Sequence, residues 1–324
     1  MGLGLGVLYG RLLTGEGVIR EFVTVGAGDR LREKAYLTAD GRVWDITGNQ
    51  WLLGLDPRVI GIWVGKAGEG FGGSPGSSVA EDLGGRLSYL LDIRDGEGEV
   101  LGEMKLEYVD RIVEDCGTLF LFRVQSTVIH HIQPWRVSLL YQKFYKKPGV
   151  TFERLKAVAA AYTYPRRVRV ISFSFGADCH YIFPMDLLAD IRGARRYLLG
   201  MRHSNQVLKR IMEVGQIVVA EAPAGYKKLI YGLGRNHSAA PPPLDQLPFA
   251  VIASRRWGYY LPEWVESYKE ITIGRTLDLG SHMLLCGEWS EEVILKPATP
   301  RLHHIHFLYF LHARERGLGY PVVE

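Results

Sequence analysis

PRRVRVISFSFGADCHYIFPMDLL spans residues 165–188, and YLLGMRHSNQVLKRIMEVG spans 197–215. Val168, Val170, Ile171, Phe173 and Phe175 are β-branched or aromatic with no breaker among them, which predicts a strand. Gly176, Ala177 and Asp178 end it, and Cys179 to Met185 reads as an irregular polar-aromatic loop closed by Pro184. Tyr197 to Met201 is a second apolar run. From Ser204 the period turns helical: Val207, Leu208, Ile211 and Met212 share a face, Ser204 or Asn205 can cap the start, and Gly215 is a stop.

A helix start leaves backbone N–H groups unpaired and carries partial positive charge. Arg202, Ser204 and Asn205 at such a point make a phosphate site. The plain alternative is a capped helix beside a surface arginine.

These residues resemble the flavin reductase family with the FMN-binding split-barrel fold. Its members carry a P-R-x-V strand, a loop ending in a Phe-Pro-Met/Val-Asp-Leu-like run, and an R-H-S/G-type turn before a helix. They also carry Gly-Asp/Ser-His before an apolar strand and Gly-Glu. Here that last motif is Gly280-Ser281-His282 followed by Met283 to Cys286 and Gly287-Glu288, with serine where aspartate is commoner. The resemblance covers about Tyr164 to Glu291 and gives no account of the first half.

The resemblance implies an NAD(P)H-dependent flavin reductase, passing hydride from NADH or NADPH to FMN or FAD. It implies a phosphate contact from Arg202, His203, Ser204 and Asn205. It implies a ring contact from Cys179, His180, Tyr181, Ile182, Phe183, Pro184 and Met185, with Asn236 and His237 reaching in from a neighbouring loop. His282 stands where the nicotinamide docks, as the candidate catalytic residue, although a lone histidine before a strand is also an ordinary structural residue. Flavin at a subunit interface implies a homodimer, and reduced flavin implies a monooxygenase as a downstream partner. The rival readings are a non-catalytic FMN-binding electron carrier and a flavin-dependent oxidase of the same superfamily.

The expected fold is mostly β. A β-rich domain of unassigned role covers 1–148, and a six-stranded split barrel covers 149–324, with helices at about 151–163 and 204–214. In the first half, Val18–Val25, Val59–Val64 and Thr118–Ile129 read as strands. Lys34–Thr38 and Arg42–Ile46 flank Ala39-Asp40-Gly41 as a hairpin, and Leu87–Ile93 and Val100–Val109 flank a second. Asp56-Pro57-Arg58-Val59 echoes Pro165-Arg166-Arg167-Val168, which raises a decayed second barrel as an alternative for 1–148. Glycines 68, 70, 72, 73, 76, 84 and 85 lie in a stretch where Pro75, Ser77 and Ser78 stand in place of a helix, so the reading is a surface loop and not a dinucleotide fingerprint.

With 39 basic and 35 acidic residues the formal charge is +4, too mild to point to nucleic acid. Hydrophobic residues make up 47% and charged residues 23%, an ordinary globular balance. Cys116, Cys179 and Cys286 are far apart, which fits reduced thiols in the cytoplasm and not a disulfide framework. No leader or membrane-length run appears, so no membrane partner is expected. His303, His304, His306 and His312 mark an aromatic-rich tail with no carboxylate or cysteine at ligand spacing, so no metal is expected. His303 to Phe310 is apolar enough to read as the dimer contact.

Overall fold

The computed structural model describes residues 19–66, 83, 88–176, 179–235 and 240–323. The glycine-rich stretch, apart from Leu83, and Asn236 and His237 lie outside them.

The first half supplies β1 (Phe22–Ala27), β2 (Lys34–Ala39), β3 (Arg42–Asp45), β4 (Gln50–Leu55), β5 (Arg58–Gly65), β6 (Tyr89–Arg94), β7 (Val100–Glu114) and β8 (Gly117–Ile129). Helices α1 (Pro134–Leu140) and α2 (Phe152–Ala161) follow. The second half supplies β9 (Arg166–Arg167), β10 (Arg169–Phe175), β11 (Cys179–Met185), β12 (Leu188–Ile191) and β13 (Arg196–Arg202). Then come α3 (Val207–Val214), β14 (Gln216–Glu221), α4 (Lys227–Gly232), β15 (Val251–Ala253) and β16 (Tyr260–Pro262). The chain closes with β17 (Ser267–Asp278), β18 (His282–Ile294), β19 (Arg301–His306) and α5 (Phe307–Glu315).

The expected local signals act as expected. Asp40 and Gly41 take φ of 47° and 75° in the β2–β3 turn, the paired positive values that a tight hairpin needs. Thr151 Oγ1 accepts from Arg154 N at 3.1 Å and starts α2. The fold is mostly β and the strands pair antiparallel.

Two sheets of seven strands carry it, in the orders β3-β2-β6-β7-β8-β5-β4 and β11-β10-β14-β17-β18-β13-β12. The main sheet of the second half thus has seven strands where six were expected. The two orders are the same if β2 through β6 correspond to β10 through β14, β7 to β17 and β8 to β18. The Asp56–Val59 and Pro165–Val168 echo does not follow that correspondence. It precedes β5 in one half and β10 in the other, and β5 corresponds to β13.

The halves share a core. Leu53, Val59, Trp63, Leu119 and Leu121 of the first sheet pack with Ala189, Ile191, Leu198 and Leu284 of the second. The division expected at 148 is not a clean break either. Helix α2 gives Val158 and Ala160 to the core of the first sheet, and β1 pairs along its length with β19.

That pairing corrects the reading of the tail. His303, His306, Phe307 and Leu308 are buried inside this chain, so this segment has no face to offer a second copy. A buried charge network ties the second sheet to the tail. Arg169 donates to Glu221 at 2.9 Å and to the Tyr197 hydroxyl at 3.0 Å. Lys269 meets Asp190 at 2.6 Å, and Arg301 meets Glu266 at 3.3 Å. Burial raises the Glu221 carboxyl, but Arg169, Arg167 and Arg301 outweigh it and bring it down to about 2.

The sheets touch most tightly where β13 crosses β4. A Cβ added to Gly200 would overlap the Leu53 carbonyl oxygen, a backbone atom that cannot swing aside. Gly200→Ala should therefore lose roughly 1–3 kcal/mol of stability by chemical denaturation. Gly193→Ala is the control, because nothing lies within 4 Å of its added methyl. Equal midpoints for the two variants would show that the crossing is looser than described.

Candidate functional site

A cleft of about 310 Å³ opens between the halves, at the small end of the range for ligand sites. Leu55, at the end of β4, forms one wall. Pro184, Met185 and Leu187 form an apolar floor; Arg202, Ser204, Asn205 and His282 supply polar groups, and so does Asp186, whose carboxylate is held by Tyr162 and His304.

The GSH turn is held by the first half of the chain. Gly280 has φ of 92°, and a methyl there would lie 2.6 Å from Pro57 Cδ, so glycine is required twice over. Ser281 N donates to Asp56 O at 2.7 Å, and Asp56 N donates to Ser281 Oγ at 3.0 Å. The Ser281 hydroxyl is then left to donate to His282 Nδ1, 2.7 Å away. Leu55 N donates to the same nitrogen at 3.4 Å. With Nδ1 as acceptor, the proton of a neutral imidazole sits on Nε2.

His282 is 1% exposed and its Nε2 has no partner among the described residues. Burial, then the positive charge of Arg202 and His203, pulls its pKa down to about 4. The side chain is thus a neutral donor in a cleft wall, its donor unspent.

Arg202 ends β13 directly opposite His282 at the start of β18. Its side chain is exposed, and no hydrogen bond or ion pair engages it or the Ser204 hydroxyl among the described residues. Gln206 is the N-cap of α3 and gives no side-chain cap bond; Asn205, one residue earlier, accepts from Val207 N through Oδ1 at 3.1 Å. The helix starts at Val207, later than the expected 204. His203 turns outward to Asp278 at 3.1 Å.

The ring-contact segment needs correction. Cys179–Met185 is a regular edge strand paired along its whole length with β10, not a loop. Tyr181 and Phe183 point into one core and Ile182 into another, so their side chains are not in the cleft. Cys179 and His180 do not line it either. His180 Nδ1 lies 2.8 Å from Ser174 Oγ and its ring packs edge-on to Tyr260. Only Pro184 and Met185 of the seven reach the cleft. Leu55 was missed, as its place opposite the GSH turn depends on a contact between distant strands. The three cysteines are unbridged. Among the described residues no cluster of acidic, cysteine and histidine side chains is built to hold a metal, and no helix is long and apolar enough to cross a membrane.

Acid should destabilise the protein through His282. Its folded value near 4 lies below the ordinary 6.5, so the unfolded chain takes up the proton first. Stability is then intact above about 6.5 and is lost as pH falls toward 4. His131, His303 and His306, also buried and lowered, act in the same direction. The denaturation midpoint should drop between pH 7 and pH 5, and less so in His282→Asn. The same drop in both would show that His282 is not held neutral.

No family model and no curated protein matches the chain. Solved structures do. An NADH:FAD oxidoreductase of Streptomyces globisporus C-1027 is 16% identical, over 47% of this chain and 89% of its own, with a TM-score of 0.42. BorF, the flavin reductase component of a bacterial two-component tryptophan halogenase, is 14% identical over 46% and 95%, with a TM-score of 0.39. The styrene monooxygenase flavin reductase of Pseudomonas putida S12 is 15% identical over 45% and 90%, with a TM-score of 0.38.

Proposed function

We propose that this chain is a flavin reductase of split-barrel type, holding FMN in the cleft between its halves and taking hydride from NADH or NADPH. The observation that carries the reading is convergence. Arg202, Ser204, His282, Pro184 and Met185 come from separate stretches of sequence and line one cleft. Three polar groups there have no partner among the described residues: the Arg202 guanidinium, the Ser204 hydroxyl and His282 Nε2.

The residues fit the cofactor. Arg202 and Ser204 offer donors of the kind that phosphate accepts. Pro184, Met185 and Leu187 offer an apolar floor to a flat ring, opposed by Leu55. When bound, the flavin supplies the hydride-accepting ring. Neutral His282 donates from Nε2 without adding charge, which suits it to orient a nicotinamide amide. Its Nδ1 is locked by Ser281 and Leu55, so the donating proton cannot migrate to the other nitrogen without breaking those bonds.

The homodimer implied by the resemblance takes a different form in this reading. Two seven-stranded sheets of the same order meet within one chain, so a single copy supplies both sides of the cleft. Reduced flavin would pass to a monooxygenase in the cytoplasm.

Anaerobic titration with FMN and then NADH tests the reading. The protein should bind FMN and bleach its visible bands on adding NADH or NADPH. Binding without bleaching by either would leave an electron carrier, and no binding would remove the reading. Arg202→Ala should weaken FMN about ten- to more than a hundred-fold, a charge-assisted contact being worth roughly 1.5–3 kcal/mol. Riboflavin, which lacks the phosphate, should be affected much less. His282→Ala should keep FMN affinity and lower kcat/KM for the nicotinamide donor, because orientation is lost. Reduction by dithionite should be unchanged.

A further inference from the structure

A second cleft, of about 600 Å³, lies on another side of the contact between the halves. By strand order it corresponds to the first, since Gly65 pairs with Gly117 where Arg202 pairs with His282. Those two glycines leave it without the phosphate-binding arginine and the histidine. Trp63 lines it at about the place that Gly200 takes in the first. It is not a second copy of the proposed flavin site.

Its own chemistry is distinct. Arg166 is 5% exposed, and no carboxylate forms an ion pair with it among the described residues. Its Nε donates to Ala161 O at 3.0 Å and its Nη1 to Gln50 O at 3.3 Å, while Nη2 has no partner among the described residues. The acidic groups in the same wall are already engaged. Asp29 binds Arg167 and Arg301, Asp186 binds His304 and Tyr162, and Asp190 binds Lys269. Burial pulls the Arg166 guanidinium down to about 10, against the smaller upward pull of Tyr164, Tyr162 and Asp186.

Gln50, 1% exposed, lines the same cleft with both Oε1 and Nε2 unpartnered among the described residues. A buried amide with neither atom satisfied is destabilising by itself. Trp51, Trp63 and Tyr164 add aromatic faces.

We propose that this cleft binds a planar aromatic anion whose ring edge carries adjacent donor and acceptor groups. Arg166 takes the negative group through Nη2, and the Gln50 amide pairs with the ring edge through Oε1 and Nε2. The tryptophans and Tyr164 pack on the ring faces.

Orotate, a uracil ring bearing a carboxylate, is the probe, titrated into the full chain by calorimetry, with benzoate as the anion without the amide edge. Orotate should bind more tightly than benzoate. Gln50→Leu should raise the Tm of the ligand-free protein, because an unpaired amide is removed. It should also weaken orotate roughly ten-fold or more and leave benzoate unchanged. Arg166→Met should weaken both. Arg202→Met should weaken neither, since it lies in the other cleft. If Arg166→Met does not fold, Gln50→Leu alone decides. No orotate binding, equal binding by Gln50→Leu, or a lowered Tm in that variant would overturn the proposal. Displacement of orotate by FMN would also overturn it, since the cleft would then be a second flavin site.

Discussion

The structure depends on the approach of two backbones, at the Leu53 carbonyl and Gly200. Only a residue without a side chain lets β13 lie against β4 there. From that crossing spreads the mixed core in which Leu53, Val59 and Trp63 meet Leu198 and Leu284. The clefts on either side exist because the halves are pressed together at this point and diverge from it. A chain whose halves merely followed one another would have two sheets and neither cleft.

The same contact sets the chemistry of the first cleft. Ser281 exchanges two hydrogen bonds with Asp56 and keeps its hydroxyl proton for His282. The first half thereby fixes the tautomer of a histidine in the second. An aspartate at 281, the commoner residue in the family that the motif resembles, would have no proton to offer when ionised and would favour the opposite tautomer. Serine at this position goes with a neutral imidazole whose Nε2 proton is unspent, across the strand pair from a guanidinium with no partner among the described residues. Those two groups, one neutral and one charged, both line the cleft.

Much of this was legible in sequence where the signal is local. Asp40-Gly41 announced its turn, Thr151 its helix, and Gly280-Ser281-His282 its place before a strand. Arg202 and Ser204 were legible only as a polar turn between an apolar strand and an amphipathic helix; that both line the first cleft comes from the structure. The segment 179–185 misled because Cys179, His180 and Pro184 look like loop residues. Pro184 is tolerated since β11 is an edge strand, and three successive buried residues mark a strand covered on both faces. What could not be read depends on distant pairing. The tail looked like an outer surface because its partner, β1, lies at the other end of the chain. The common strand order left no trace because register is set by backbone bonds, and the side chains at matching places, Gly65 and Arg202, Gly117 and His282, have nothing in common.

The most direct test is a crystal structure of the protein grown with FMN. The phosphate should lie within hydrogen-bond distance of Arg202 and Ser204, and the ring between Leu55 and Met185. One copy of the chain should supply every contact. FMN seated elsewhere, or held jointly by two copies with the cleft beside Leu55 unfilled, would contradict it.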